Sequence, residues 1–360
     1  MTPFRHKIGQ MLIMGFSGCD IDVHSPVVQW LEKDGLGGVL LFDLDWGTQK
    51  PGKNLKTKTQ IKQLTQQLNH YTNLQRGSDF KPPLFIALDY EGGAVDRLAN
   101  INGCMTTMTA HDQALLSDEA LYKEAATMAI TLKELGFNLN FAPVIDLSLD
   151  DQHGIIGKLK RSFSSQPNEV IRAAQQFVTA FSHHGITCAY KHFPGHGSAL
   201  GDTHHGFVDV TEQYQPSELL PYGALLKDNS LSAMVMTAHV INRQLDETGL
   251  PATLSYPILT GLLRREMGFD GVIVSDDLQM QAISNHYPLD EVLCMTINAG
   301  ADMLIFGNQL GYHTATEVID QIAQLVQDSA IESDRIEQAY RRILRLKQSN
   351  LVLTGNILTC

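Results

Sequence analysis

The densest run of chemically capable side chains is KHFPGHGSALGDTHHG, Lys191–Gly206. Within sixteen residues it holds a lysine, four histidines, an aspartate, four glycines and a proline. That many glycines predict a loop able to adopt unusual backbone angles, not a regular element. Two chemistries fit it. His192, His196, His204 and His205 could ligate a metal, or one histidine could serve as general acid and base with a carboxylate holding it. Asp202 and His204 are one residue apart and can meet where the loop turns. Such a contact would orient the imidazole and stabilise its charged form.

A second cluster is GVIVSDDLQM, Gly271–Met280, where an apolar strand delivers Asp276 and Asp277. A carboxylate placed there can attack an anomeric carbon, as retaining glycosidases require. Asp276 comes first off the strand; Asp277 is read as starting the next helix or supporting its neighbour. A third cluster is LFIALDYEGGAVDRL, Leu84–Leu98. Asp89 ends its strand, Gly92 and Gly93 permit a tight turn, and Arg97 returns toward the same place. A carboxylate beside a guanidinium suits vicinal hydroxyls, one accepting and the other donating hydrogen bonds.

The elements that must position these groups alternate along the chain. Short, nearly continuous apolar runs at Met11–Phe16, Gly38–Phe42, Leu84–Asp89, Asn138–Asp146, Thr187–Tyr190, Ala233–Ala238, Gly271–Ser275 and Asp302–Phe306 read as strands buried on both faces. Amphipathic segments lie between them: Ile61–Leu74, Asp118–Leu135, Asn168–His183, Pro216–Asp228, Leu254–Glu266 and Leu289–Ala299. Eight strands with intervening helices predict an α/β fold, a (β/α)8 barrel in one domain over 1–360, with two helices in Ala315–Lys347 completing its outer ring. Polar residues follow the strands' C-terminal ends: Asp89, Asp146, Lys191-His192, His239 and Asp276-Asp277. In a barrel these open on one rim, although each aspartate could instead cap a helix. Asp146 and His239 are read as structural or supporting, and Asp43–Thr59 as a long loop.

Composition excludes several classes. A formal net charge of −12 without a basic stripe argues against a nucleic-acid partner, and the short KTKTQIK run reads as the solvated start of a helix. The five cysteines include no CxxC pair and read as reduced thiols of a cytoplasmic protein. The N-terminal apolar run is short and broken by Gly15, unlike a signal peptide, and no run reaches the roughly 18 apolar residues that span a bilayer.

From IGQMLIMGF through GGVLLF, ALDYEGGAVDRL, LGFNLNFAPVIDL, RSFS, KHFPGHG with the later DTH, MTAHV and VSDDLQM to AGADMLIF and RRILRLK, the chain resembles glycoside hydrolase family 3. Within it, the resemblance is to single-domain bacterial N-acetyl-β-glucosaminidases of cell-wall recycling. It implies a retaining hydrolase that removes N-acetyl-β-D-glucosamine from muropeptides or chitooligosaccharides without metal or organic cofactor. It implies Asp276 as nucleophile, His204 as acid and base with Asp202 as its partner, and Asp89, Arg97, Arg161, Lys191 and His192 as the residues holding the sugar. The sequence departs from the family pattern at Ala94 (arginine expected), Tyr90 (glutamine expected), Ser164 (glycine expected), in extra residues within Lys158–Lys160, and in the long Asp43–Thr59 loop. These departures bear on the second sugar subsite. Phosphate in place of water as acceptor, a metal-dependent barrel hydrolase and a catalytically silent sugar-binding barrel are the alternatives.

Overall fold

A computed structural model describes residues 2–75, 81–201, 206–228 and 233–353. Eight strands run parallel: β1 Leu12–Gly15, β2 Gly38–Leu40, β3 Phe85–Leu88, β4 Leu139–Asn140, β5 Thr187–Phe193, β6 Ala233–Thr237, β7 Ile273–Asp277 and β8 Met303–Phe306. Each pairs with its neighbours in sequence, and β1 closes on β8 through Leu12 opposite Leu304. This is the expected (β/α)8 barrel. Continuous apolar runs such as FIAL and MLIF are buried throughout because side chains fill the barrel on one face and meet helices on the other.

The helices follow their sequence signals. Asp118–Leu135 starts at Ser117, whose hydroxyl accepts from the Ala120 amide, and stops at Gly136 with φ of 88°. Lys58–Asn73 is capped by Thr57, so the lysine-rich run is a helix start. Pro167–His183 packs on Asp118–Leu135 and buries Phe177 stacked on Phe181, with centroids 4.5 Å apart. Each such ring contributes roughly 2–3 kcal/mol through burial.

Boundaries differ from expectation for identifiable reasons. The fourth strand ends at Asn140, not Asp146, because Pro143 has no amide to donate; beyond it only Val144 bridges to Lys191. The strand expected to end at Tyr190 continues through Phe193, so Lys191 and His192 are strand residues rather than loop residues. Pro216–Leu219 winds as a 3-10 turn before the helix Leu220–Leu225, and Pro257–Glu266 winds in wider π turns. The Asp43–Thr59 segment contains a small hairpin, Leu44–Asp45 against Lys50–Pro51.

At the barrel's base Asp302 is fully buried and meets Arg264, Arg335 at 2.7 Å and Arg342 at 3.3 Å. At the opposite end the strands approach closely. A Cβ on Gly15 would lie 1.9 Å from the Gly307 carbonyl oxygen, and one on Gly307 would lie 2.5 Å from Asp277 Oδ2. Gly15→Ala must therefore push β1 from β8, and should destabilise the fold by about 3 kcal/mol in denaturant titration. An unchanged midpoint would show that the two strands can separate freely.

Among the described residues Cys19, Cys104, Cys188 and Cys294 are free, Cys360 lies outside them, and no helix is long and apolar enough to cross a membrane.

Candidate active site

Two irregularities in the barrel ladder coincide with the candidate residues. Between Tyr190 and Phe193 β5 carries one residue more than β6 does between Val235 and Thr237. Between Val274 and Asp277 β7 carries one more than β8 does between Met303 and Ile305. The extra residues fall at Lys191-His192 and Ser275-Asp276. A bulge turns side chains away from strict alternation, so neighbouring residues can serve one cavity. That cavity, of about 330 Å3, lies where Asp89, Arg97, Arg161, Lys191, His192 and Asp276 all contribute to its lining, with Glu91, His196 and Asp277. Its size is that of a small-molecule site, roughly 300–1,000 Å3.

Its floor is a buried charge network. Glu91 accepts from Arg161 Nε at 2.8 Å and Nη2 at 2.7 Å, a bidentate pair, and lies 2.6 Å from Lys191 Nζ. Lys191 Nζ also donates to Asp89 Oδ1 at 3.0 Å. Burial alone would raise the Glu91 pKa, but Arg161 and Lys191 outweigh it and hold the carboxyl well below its ordinary range. The same pairing offsets the cost of burying Lys191 and raises its pKa, keeping the ammonium charged. Asp89 faces outward to Arg97 at 3.8 Å, and Arg97 lies 3.6 Å from Asp43. The tight turn foreseen after Asp89 is a hairpin, Tyr90–Gly92 with Val95–Asp96, and Gly92 at φ of 102° admits no larger residue without strain.

His192 is oriented from behind. Asp146, fully buried, accepts from His192 Nδ1 at 2.7 Å, the His192 amide at 3.0 Å and the His196 amide at 2.9 Å. Burial opposes ionisation of Asp146, yet His192 and these donors lower its pKa. His196 has a buried Nδ1 without a hydrogen-bond partner, and burial followed by the nearby His192 pushes its pKa down to about 4. It is therefore neutral near pH 7. Glu218, also buried, accepts from the Gly197 amide at 2.9 Å and the Ser198 amide at 3.3 Å, fixing the backbone beyond His196.

Asp276 emerges from β7 with its amide directed at Thr237 Oγ1, 3.3 Å away. Its Oδ1 accepts from the Asp277 amide at 2.8 Å. Asp277 does not open the next helix, which starts at Gln281; it ends the strand and accepts from the Gln279 amide at 3.0 Å. His239 lies behind this turn, with Nε2 2.9 Å from the Asp277 carbonyl and Nδ1 2.8 Å from Thr253 Oγ1.

The structure thus brings together Asp276, Asp89, Arg97, Arg161, Lys191 and His192. Asp202, His204 and His205 lie outside the described residues, so the acid/base assignment and the Asp202–His204 contact have no geometry here. Among the described residues no group of three His, Cys, Asp or Glu side chains forms a metal-ligand set. Sequence reasoning missed Glu91. The signal was present: burying Arg161 and Lys191 demands a counter-charge, and Glu91, two residues after Asp89, falls on the same face of an extended chain.

A family profile described as glycosyl hydrolase family 3 N terminal domain matches residues 4–346. A beta-hexosaminidase from Tolumonas auensis is 34% identical over 303 residues, 82% of this chain and 82% of that protein. Beta-hexosaminidase A from Pseudoalteromonas piscicida is 31% identical over 334 residues, 87% of this chain and 53% of that protein. The chain therefore spans about half the length of that relative. A solved glycoside hydrolase family 3 beta-N-acetylglucosaminidase from Paenibacillus sp. str. FPU-7 superposes with a TM-score of 0.85 at 29% identity, covering 100% of this chain and 65% of that one. With a match running from the first helix into the last, this chain belongs to glycosyl hydrolase family 3.

Proposed function

We propose that the chain is a retaining β-N-acetylglucosaminidase that releases terminal N-acetyl-β-D-glucosamine from chitooligosaccharides or peptidoglycan-derived disaccharides. The observation that carries this reading is the Asp276 carboxylate on the bulged end of β7, in one cavity with the Asp89–Lys191–Glu91–Arg161 network. Asp89 and Lys191 hold sugar hydroxyls as acceptor and donor, with Arg97 and His192 at the ring's edges. Asp276 attacks C1, the C1–O bond to the leaving sugar breaks, and His204 supplies the proton to that oxygen. Water then attacks C1, His204 takes the water's proton, and the bond to Asp276 breaks, restoring the original configuration. Asp202 holds His204 throughout. The four described cysteines are all free, which favours a reducing compartment, and the cytoplasm is the proposed location. Cell fractionation checks it.

Proton NMR of fresh digests of an aryl N-acetyl-β-glucosaminide tests the reaction. The β-anomer of free N-acetylglucosamine should appear first. Initial α-anomer, sugar 1-phosphate accumulating with added phosphate, or bound sugar without turnover would each overturn the assignment. Asp146→Asn should lower kcat/KM about tenfold to a hundredfold, equivalent to roughly 1.4–2.8 kcal/mol, because His192 loses the carboxylate that fixes its ring. Unchanged kcat/KM would remove His192 orientation from the account.

A further inference from the structure

The outer part of the cavity differs in chemistry from its floor. Trp46, on the hairpin Leu44–Pro51, lines it together with Leu310. The hairpin is not a loose loop. The Trp46 amide donates to Gln309 Oε1 at 3.0 Å, Gln309 Nε2 donates to the Leu44 carbonyl at 2.8 Å, and Lys53 Nζ reaches the same Gln309 Oε1 at 3.2 Å. The backbone that carries the indole is thereby tied to the segment that follows β8. Elsewhere on the rim, Ile155 and Leu159, four residues apart around the short helix Ile155–Lys158, also line the cavity. Leu159 and Leu310 are each more than a third exposed although they line it, which places them at its opening. Ala94, where the family pattern has arginine, adds apolar lining instead of a cation.

Charge points the same way. Among the described residues the cavity is lined by four carboxylates (Asp89, Glu91, Asp276 and Asp277) and three basic side chains (Arg97, Arg161 and Lys191). Each of those cations already faces a carboxylate. Lys158 and Lys160 flank Leu159 but do not line the cavity. Among the described lining residues an anionic leaving group would meet more carboxylates than cations, and those cations are already paired, whereas a neutral ring offers its apolar face to indole and leucine.

Resting on the reading of the chain as an N-acetyl-β-glucosaminidase, we infer that Trp46, with Leu310, Ile155 and Leu159, forms a leaving-group subsite that selects an uncharged pyranose over a carboxylate-bearing one. The preferred substrates are neutral β-linked N-acetylglucosamine oligomers. The test compares kcat/KM for chitobiose, for the β-1,4 disaccharide of N-acetylglucosamine with a lactyl-ether-bearing N-acetylmuramic acid, and for N-acetyl-β-glucosaminyl azide, whose leaving group has no ring. The native chain should favour chitobiose over the anionic disaccharide at least tenfold. Trp46→Ala should lower the chitobiose-to-azide ratio of kcat/KM at least tenfold, and Trp46→Phe should restore most of it. Preference for the anionic disaccharide, or a Trp46→Ala ratio within twofold of native, overturns the inference while leaving the hydrolase reading in place. Absence of turnover of all three substrates by the native chain overturns the hydrolase reading and the subsite with it.

Discussion

Asp276→Ala lowers kcat for an aryl N-acetyl-β-glucosaminide by about 10⁴-fold or more, roughly 5 kcal/mol of transition-state stabilisation. The loss is chemical, not structural. The Asp276 amide keeps its Thr237 hydroxyl, and the side-chain Oδ1 accepts from the Asp277 amide. Losing that acceptor should cost about 1 kcal/mol, small beside the loss in rate. Added azide should restore part of the rate and yield the α-configured glycosyl azide, because a small anion can occupy the space of the missing carboxylate and attack C1 directly. A variant within tenfold of the native rate would remove Asp276 from the nucleophile's role. A variant that fails to fold would contradict the placement of its carboxylate at the cavity rather than in the core.

The largest effect on stability belongs to Glu91. Glu91→Gln keeps the shape but removes the charge between Arg161 and Lys191, whose side chains are 11% and 3% exposed. A buried cation deprived of its partner destabilises a fold by about 3–5 kcal/mol, and this should be read in denaturant titration at pH 7. The effect depends on pH in a fixed direction. Glu91 has a folded pKa below its ordinary 4.5, so the unfolded chain takes up the proton first as pH falls. Its contribution is complete above 4.5 and is lost below it, as pH approaches the folded value. Native and variant midpoints should therefore differ most at neutral pH and converge in acid. A gap that stays constant from pH 7 to pH 3, or widens in acid, would show that Glu91 is not the ionised partner of the two cations.

Residue patterns made the barrel legible because its strands are apolar on both faces and its helices show clear caps. The amphipathic segment Asp118–Leu135 matches its helix to the residue, and the structure shows Ser117 capping its start and Gly136 ending it. Strand ends near the site were less legible. The segment after Asn140 looks like strand in composition, yet Pro143 breaks its ladder. Lys191 and His192 look like loop because glycines follow them, yet they extend β5. A bulge leaves no compositional mark, since it is a difference in count between two partner strands. That Asp89, Lys191, His192 and Asp276 share one cavity was legible because strand-end polar residues in a barrel converge on one rim, whereas Arg161 was suggested only by the family resemblance. Glu91, Asp146 as orienter of His192, and the clamp between Trp46 and Gln309 were missed, because each is defined by a partner far away in sequence.

The most direct measurement is to trap the intermediate with an N-acetylglucosaminyl fluoride carrying fluorine at C5, which slows hydrolysis of the glycosyl-enzyme, and to locate the adduct by peptide mass spectrometry. The account predicts one sugar per chain, attached within the peptide containing Asp276 and absent from Asp276→Ala. Attachment at Asp277, Asp89 or any other residue, or full inactivation of a chain bearing no adduct, would contradict it.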